Sequence, residues 1–246
     1  WFGWRGAFLI PAAACVLTGV AFLALMPDDS HRIGKRASVA EVVFSPRMAA
    51  IVFGLYVVIS LAGGLIFNTV SVALPKIVDE RLGGGISLMA VGGLTTAVFL
   101  CGALAQLAMG RLVERYPPLL LYSGVVALQF AAIVWSAFAT GVMLLVALAV
   151  TMSAIYGQVT SGDIVIARYT ADAWRGRVYA VRYFLTFVSS AAAVSAIGLL
   201  HAQGGFDLVL GAIAAVAAVL LVSVQSFVLL AMSLERGQRR VIQAAE

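Results

Sequence analysis

Long apolar stretches alternate with short polar ones along the whole of this 246-residue chain. Seven of the apolar stretches reach the roughly 20 residues that a helix needs to cross a hydrocarbon core of about 30 Å. They lie at 6–26, 48–74, 86–110, 119–139, 141–166, 177–200 and 207–232. The pattern therefore predicts an all-α integral membrane protein with seven transmembrane helices, whose two ends lie on opposite sides of the membrane.

The sharpest boundary in the pattern follows residue 110. Residues 86–110 contain no Asp, Glu, Lys or Arg. The charged residues Arg111, Glu114 and Arg115 come next, and Pro117 and Pro118 follow them. Proline lacks the N–H donor and restricts the residue before it, so a helix does not run on through this pair. Because apolar residues resume at 119, we predict a tight hairpin turn over 111–118.

Composition excludes several classes of protein. The chain is 63% hydrophobic and 11% charged, whereas soluble proteins carry about 25% charged residues. The net charge of +5 does not indicate nucleic-acid binding, because the basic residues lie in short gaps between apolar stretches. The sequence contains no phosphate-binding loop, no metal-ligand spacing and no catalytic cluster within the spans. We predict no cofactor, no metal and no enzyme activity.

The distribution of Lys and Arg predicts the orientation in the membrane. Arg5, Lys76 and Arg81 fall on one side of the predicted spans, and the remaining thirteen of the 16 basic residues fall on the other. Loops on the cytoplasmic side carry the excess of basic residues. We therefore expect a multi-pass protein of the inner cell membrane with its C-terminus in the cytoplasm.

Four segments together resemble the major facilitator superfamily, a family of transporters. The first is GWRGAFLIPAAA at 3–14, which is similar to the start of the family's sixth helix, and the second is the charged gap at 27–47, which is similar to its central cytoplasmic loop. The third is GRLVERYPP at 110–118, which is similar to the GxLaDrxGrr loop between helices eight and nine. The fourth is ARYTADAWRGRVYAVRY at 167–183, which is similar to the RGRxxG-type entry into helix eleven. The chain departs from the pattern at Glu114, where Asp is usual, and at Pro117 and Pro118. The resemblance covers essentially the whole chain, as helices six to twelve.

The resemblance also implies a domain organisation. Residues 1–26 correspond to the last helix of a truncated N-terminal half, 27–47 to the central cytoplasmic loop, 48–235 to the C-terminal six-helix bundle and 236–246 to a cytoplasmic tail. Trp1 stands where an initiator Met is expected. We therefore expect the first five helices of the N-terminal half to be missing from this chain and to act as its partner.

Charged residues inside the spans are candidates for function, since a central Asp or Arg costs roughly 2.5–3.5 kcal/mol to insert. Asp163 and Arg182 lie at similar depths, each within about two turns of the predicted cytoplasmic surface. We expect them to face protein or a water-filled vestibule and to pair with each other. The sequence leaves open whether the pair is structural or takes part in moving a proton or substrate.

Four further residues are candidates for contact with substrate. Tyr156 and Thr160 share a helix face with Asp163, at spacings of i, i+4 and i+7. The resemblance adds Tyr56 and Asn68, because the family's seventh helix lines the central cavity. Simple packing is the alternative for each of them.

The hairpin after residue 110 carries the remaining candidates. Gly110, Glu114 and Arg115 either anchor the turn or form a conformational latch. The stripe of Gly102, Gln106 and Gly110 predicts close helix packing, with Gln106 as an interhelical hydrogen-bonding group.

The function that the resemblance implies is secondary active transport of a small solute by alternating access, and we expect proton-coupled export. An uptake permease of the same fold is one alternative. A seven-helix receptor or sensor without transport activity is another. Its retinal-binding form is excluded, since Lys35 and Lys76 are the only lysines and neither lies in the last span. The expected partners are the lipid bilayer, a small-molecule substrate and the missing N-terminal half.

Overall fold

The computed structural model describes residues 3–25, 46–82, 85–170 and 172–245, and the regular structure within these ranges is helical. Six helices follow one another: α1 (Gly3–Leu25), α2 (Pro46–Arg81), α3 (Leu88–Arg115), α4 (Pro118–Phe138), α5 (Gly141–Tyr169) and α6 (Asp172–Ala245). Each contains a segment long and apolar enough to cross a membrane. The fold class predicted from the sequence is confirmed. Of the predicted central loop at 27–47, residues 27–45 lie outside the described residues, and residues 46–47 belong to α2.

Helix α6 contains two membrane spans. Its apolar part, Trp174–Leu234, has 61 residues and as one straight helix would be about 90 Å long, about three times the thickness of a bilayer core. The backbone leaves helical geometry at Gly204 (φ −154°, ψ 23°) and Gly205 (φ 61°, ψ −160°). The conformation of Gly205 is one that essentially only glycine adopts. Two segments result, 172–203 and 206–245, which carry the sixth and seventh predicted spans.

The two segments of α6 are antiparallel. Arg182 contacts Asp163 near the end of α5, and Gln225 contacts Ser123 near the start of α4. The start of α4 and the end of α5 lie at the same end of the bundle, because a short turn joins these two helices at the other end. We call the end with residues 111–118 the basic end. The end with Arg81 and Gly205 is the distal end.

The turn between α3 and α4 is shorter than the sequence predicts. Helix α3 continues through the charged residues to Arg115, and α4 begins at Pro118. The backbone N–H of Tyr116 donates to the carbonyl of Leu112 over 2.9 Å. Proline is tolerated at the first helical position because its missing N–H has no partner there in any case. The proline pair therefore begins α4 rather than only ending α3.

The chain divides into two compact units, residues 1–41 and 42–246. The first contains α1, whose side chains from 7 to 25 are exposed. In the second, α2 packs against α6, α3 against α5, and α4 against both α5 and α6. The largest fully buried side chains include Ile66, Leu74, Ile77, Ile133, Leu144, Leu148, Met152, Ile155 and Leu220. Apolar side chains also cover much of the outside, as expected of a surface that faces lipid.

Candidate functional site

Glycines bring neighbouring helices to α2 at close range. A Cβ atom at Gly63 would lie 3.0 Å from Nε2 of Gln158, and one at Gly64 would lie 3.0 Å from Oγ of Ser189. The hydroxyl of Ser189 also donates to the carbonyl of Leu61 over 3.1 Å. Small residues at such positions let helix backbones approach closely in a membrane. Helices α5 and α6 therefore both meet α2 at this glycine pair.

Two tyrosine rings on neighbouring helices are also positioned by glycines. A Cβ atom at Gly102 of α3 would lie 2.7 Å from Cδ2 of Tyr156, and one at Gly162 of α5 would lie 3.3 Å from Cε2 of Tyr122. Each ring thus packs directly against the backbone of the helix it faces. Substituting either glycine would displace a ring in the interior of the bundle.

Asp163 and Arg182 form an ion pair between α5 and the first segment of α6. Nη1 of Arg182 donates to Oδ1 of Asp163, and the side chains are 18% exposed for Arg182 and 42% exposed for Asp163. Asp163 lies about 9 Å from the end of α5, and Arg182 about 15 Å from the start of α6, at about 1.5 Å per residue. Each charge has its counter-ion within the chain, and Asp163 keeps an open side.

Two tyrosine hydroxyls bond the backbone around this pair. Tyr179 donates to the carbonyl of Asp163 over 3.1 Å, and Tyr56 of α2 donates to the carbonyl of Val178 over 2.9 Å. Together with the ion pair, these bonds join α2, α5 and α6 at one depth. We call Tyr56, Asp163, Tyr179 and Arg182 the basic-end cluster.

The other predicted substrate contacts lie one layer further toward the distal end. Tyr156 is seven residues, about 10 Å, from Asp163 along α5. Its ring meets Phe67 edge-on at a centroid distance of 6.0 Å, and Asn68 follows Phe67 directly. Asn68 donates to the carbonyl of Gly64 over 2.8 Å, and Thr160 donates to that of Tyr156 over 3.2 Å. We call Asn68, Tyr156 and Thr160 the middle layer.

The hairpin candidates are not part of either group. Gly110, Glu114 and Arg115 are exposed, and the space beside Gly110 is open. Neither Glu114 nor Arg115 forms an ion pair with another of the described residues. Gln106 is exposed as well. Gln106 does not pack between helices within the described residues, and its role as an interhelical group and the latch both stay predictions.

Sequence reasoning missed Tyr179 and Tyr122. Tyr179 lies one turn before Arg182 on the same helix, so the i, i+3 spacing was available as a signal. Tyr122 is 5% exposed on α4, where its ring contacts Gly162, the residue before Asp163. Nothing in the spacing along the chain connects α4 to the pair. Only the packing of α4 against α5 brings Tyr122 there.

These features define a bundle of membrane helices with a charged pair in its interior. The family model of the Major Facilitator Superfamily matches residues 1–157. The chain belongs to the Major Facilitator Superfamily, whose members are transporters, and it is a multi-pass membrane protein. The match ends before Asp163, so the basic-end cluster is only partly inside the matched segment.

Two solved structures share the fold. A Major Facilitator Superfamily transporter, FucP, in the outward conformation has a TM-score of 0.62 at 15% identity, over 72% of this chain and 42% of that chain. A variant of the E. coli fucose:proton symporter FucP has a TM-score of 0.64 at 16% identity, over 74% and 44%. The chain thus spans less than half of these transporters. A search of curated proteins found no match.

Proposed function

We propose that this chain is the C-terminal part of a secondary active transporter that exports a small solute across the inner membrane in exchange for protons. Alternating access arises when one half of such a protein rocks against the other around a site near the midplane. The proposal is supported by membership of the family and by the fold that 74% of this chain shares with a fucose:proton symporter. An enzymatic activity is not part of it.

The Asp163–Arg182 pair is the observation that carries the proposal. Ionisable residues inside membrane spans are expensive and typically mark ion or substrate pathways. Asp163 is 42% exposed, so its carboxylate is accessible from outside the chain as well as from Arg182. Protonation of Asp163 would remove the negative charge and leave Arg182 without its counter-ion. A proton thereby changes how α5 is held to α6.

The middle layer supplies the proposed substrate contacts. Asn68, Tyr156 and Thr160 are partly buried, and Tyr56 of the basic-end cluster completes the four residues. The hydroxyl groups of Tyr56 and Thr160 and the amide of Asn68 donate to backbone carbonyls, and none of the four residues is charged. This environment suits an amphipathic or apolar solute, which favours export over uptake. The opposite wall of the cavity would come from the N-terminal half.

Gly110, Glu114 and Arg115 are proposed as a latch at the basic end. The exposed carboxylate of Glu114 and guanidinium of Arg115 are free to bond a segment outside this chain. Such a contact would hold the two halves together on the cytoplasmic side, where the C-terminus is also expected.

Transport in everted membrane vesicles tests the proposal. Vesicles containing the full-length transporter are loaded with a proton gradient, and uptake of a fluorescent amphipathic dye is followed before and after an ionophore collapses the gradient. Asp163→Asn should abolish gradient-driven uptake. The matched control is Asp207→Asn, which alters an aspartate that also bonds an arginine but lies at the distal end, and it should transport normally. Normal gradient-driven transport by Asp163→Asn, equal to that of Asp207→Asn, would show that Asp163 has no part in the mechanism.

A further inference from the structure

A second polar cluster lies at the distal end, apart from the proposed transport site. Arg81, the last residue of α2, donates from Nη1 to the carbonyls of Ser136 (3.4 Å) and Ala137 (3.2 Å) at the end of α4. Its Nη2 bonds Oδ1 of Asp207, just after the Gly204–Gly205 turn. Arg81 therefore joins the ends of α2 and α4 to the start of the second segment of α6.

His201 extends this cluster on the other side of the turn. Its Nε2 lies 3.1 Å from Oε2 of Glu80, and its ring lies 4.6 Å from that of Phe206. The ring contact spans the two glycines, since His201 precedes them and Phe206 follows. The turn is thus held to α2 from both sides, by Glu80 through His201 and by Arg81 through Asp207.

Glu80 is the group on which this contact depends. Lys76 lies 3.7 Å from Oε1 of Glu80, so the second oxygen, Oε2, is the one that faces the imidazole. The other charged groups of the cluster are Lys76, which pairs with Glu80, and Arg81, which pairs with Asp207 of α6. Helix α4 contributes only carbonyls. The carboxylate of Glu80 therefore faces the ring directly.

We propose that His201 and Glu80 form a proton-binding site that holds the Gly204–Gly205 turn against α2 when His201 is protonated. Histidine is the side chain whose charge changes between about pH 5 and pH 8. The imidazolium forms an ion pair with Glu80, whereas the neutral ring keeps only a hydrogen bond. The turn thereby responds to the pH of the compartment at the distal end.

Hydrogen exchange of the full-length transporter in lipid nanodiscs tests this site without measuring transport. Protection of the backbone amides of 198–210 is compared at about pH 5.5 and about pH 8, after correction for intrinsic exchange rates. Because the pair is partly exposed, protection should be about two- to fivefold greater at the lower pH. His201→Gln, which retains a hydrogen-bond donor but cannot gain charge, should remove this difference. His31→Gln, which removes the only other histidine, should leave it intact.

Two more variants keep the test decisive. Glu80→Gln should remove the pH difference by taking away the negative partner. Lys76→Gln should enlarge it, because the charge that competes for Glu80 is gone. Amides of 144–155 in the core of α5 serve as the check of folding, since their protection should match the wild type in every variant. A wild-type turn with no pH difference, or a difference that survives in His201→Gln and Glu80→Gln, would overturn the proposal.

Discussion

Gly102→Ala should destabilise the bundle through the ring of Tyr156. The new methyl carbon would lie 2.7 Å from Cδ2 and 3.1 Å from Cε2 of that ring, whereas carbon atoms in contact prefer about 3.5–4.0 Å. The ring must therefore retreat by nearly 1 Å, and Phe67 already packs against it.

The magnitude follows from two opposing effects. Overpacking of a close-packed interior costs about 1–3 kcal/mol. Replacing Gly by Ala within a helix returns about 0.5–1 kcal/mol through the lower entropy of the unfolded chain. We expect a net loss of up to about 2.5 kcal/mol in the free energy of unfolding, with about 1 kcal/mol as the central value.

Gly110→Ala is the matched control on the same helix. No atom lies within 4 Å of the methyl group that it would add, so only the favourable backbone effect remains and stability should rise by about 0.5–1 kcal/mol. The free energy of unfolding is measured for all variants by reversible SDS titration in mixed micelles. Tyr156→Leu in the Gly102→Ala background should recover part of the loss. The reasoning fails if the two glycine variants are equally stable.

Three further substitutions test other contacts. Gly205→Ala places a side chain at φ 61° and ψ −160° and should lower the free energy of unfolding by about 1–3 kcal/mol in the same titration. Gly198→Ala is its comparison, because no atom lies within 4 Å of the methyl group that it would add. Tyr56→Phe removes the hydrogen bond to the carbonyl of Val178 and should cost about 0.5–1.5 kcal/mol; an unchanged stability would show that the hydroxyl does not hold α2 to α6. The double variant Asp163→Asn, Arg182→Gln should lose less stability than the two single variants lose together, because each single substitution leaves an unpaired charge in the bundle. Strictly additive losses of stability would count against an ion pair.

The sequence predicts the spans because their signal is local. The apolar stretches and Pro117–Pro118 fix where helices run and where α3 gives way to α4. The reversal within α6 was likewise expected between residues 200 and 207, and Gly204 and Gly205 lie in that interval. Such features depend on composition and backbone chemistry over a few residues.

Helix faces were predicted less well. Gly102, Gln106 and Gly110 are spaced by four residues, but each residue turns about 100° around the helix, so eight residues displace Gly110 by about 80° from Gly102. Gly102 faces α5 closely, whereas Gly110 lies in open space. The line of Gly102, Gln106 and Gly110 therefore turns away from α5 along the helix, and the spacing of the residues alone does not show this.

The candidate site was predicted in part. Asp163 and Arg182 stood out because charges within spans are rare, and the structure brings the two together. Tyr122 did not stand out, because a tyrosine in a span has no cost that marks it and its position depends on the packing of α4 against α5.

Reversal of the charges at Asp163 and Arg182 tests the central claim most directly. Gradient-driven dye transport is measured for Asp163→Arg, for Arg182→Asp and for the double reversal. Each single reversal places two like charges side by side, which should abolish transport, while the double reversal restores an ion pair between α5 and α6. The account predicts that the double reversal transports more than either single variant. Wild-type rates in a single reversal, or a double reversal no better than the singles, would contradict it.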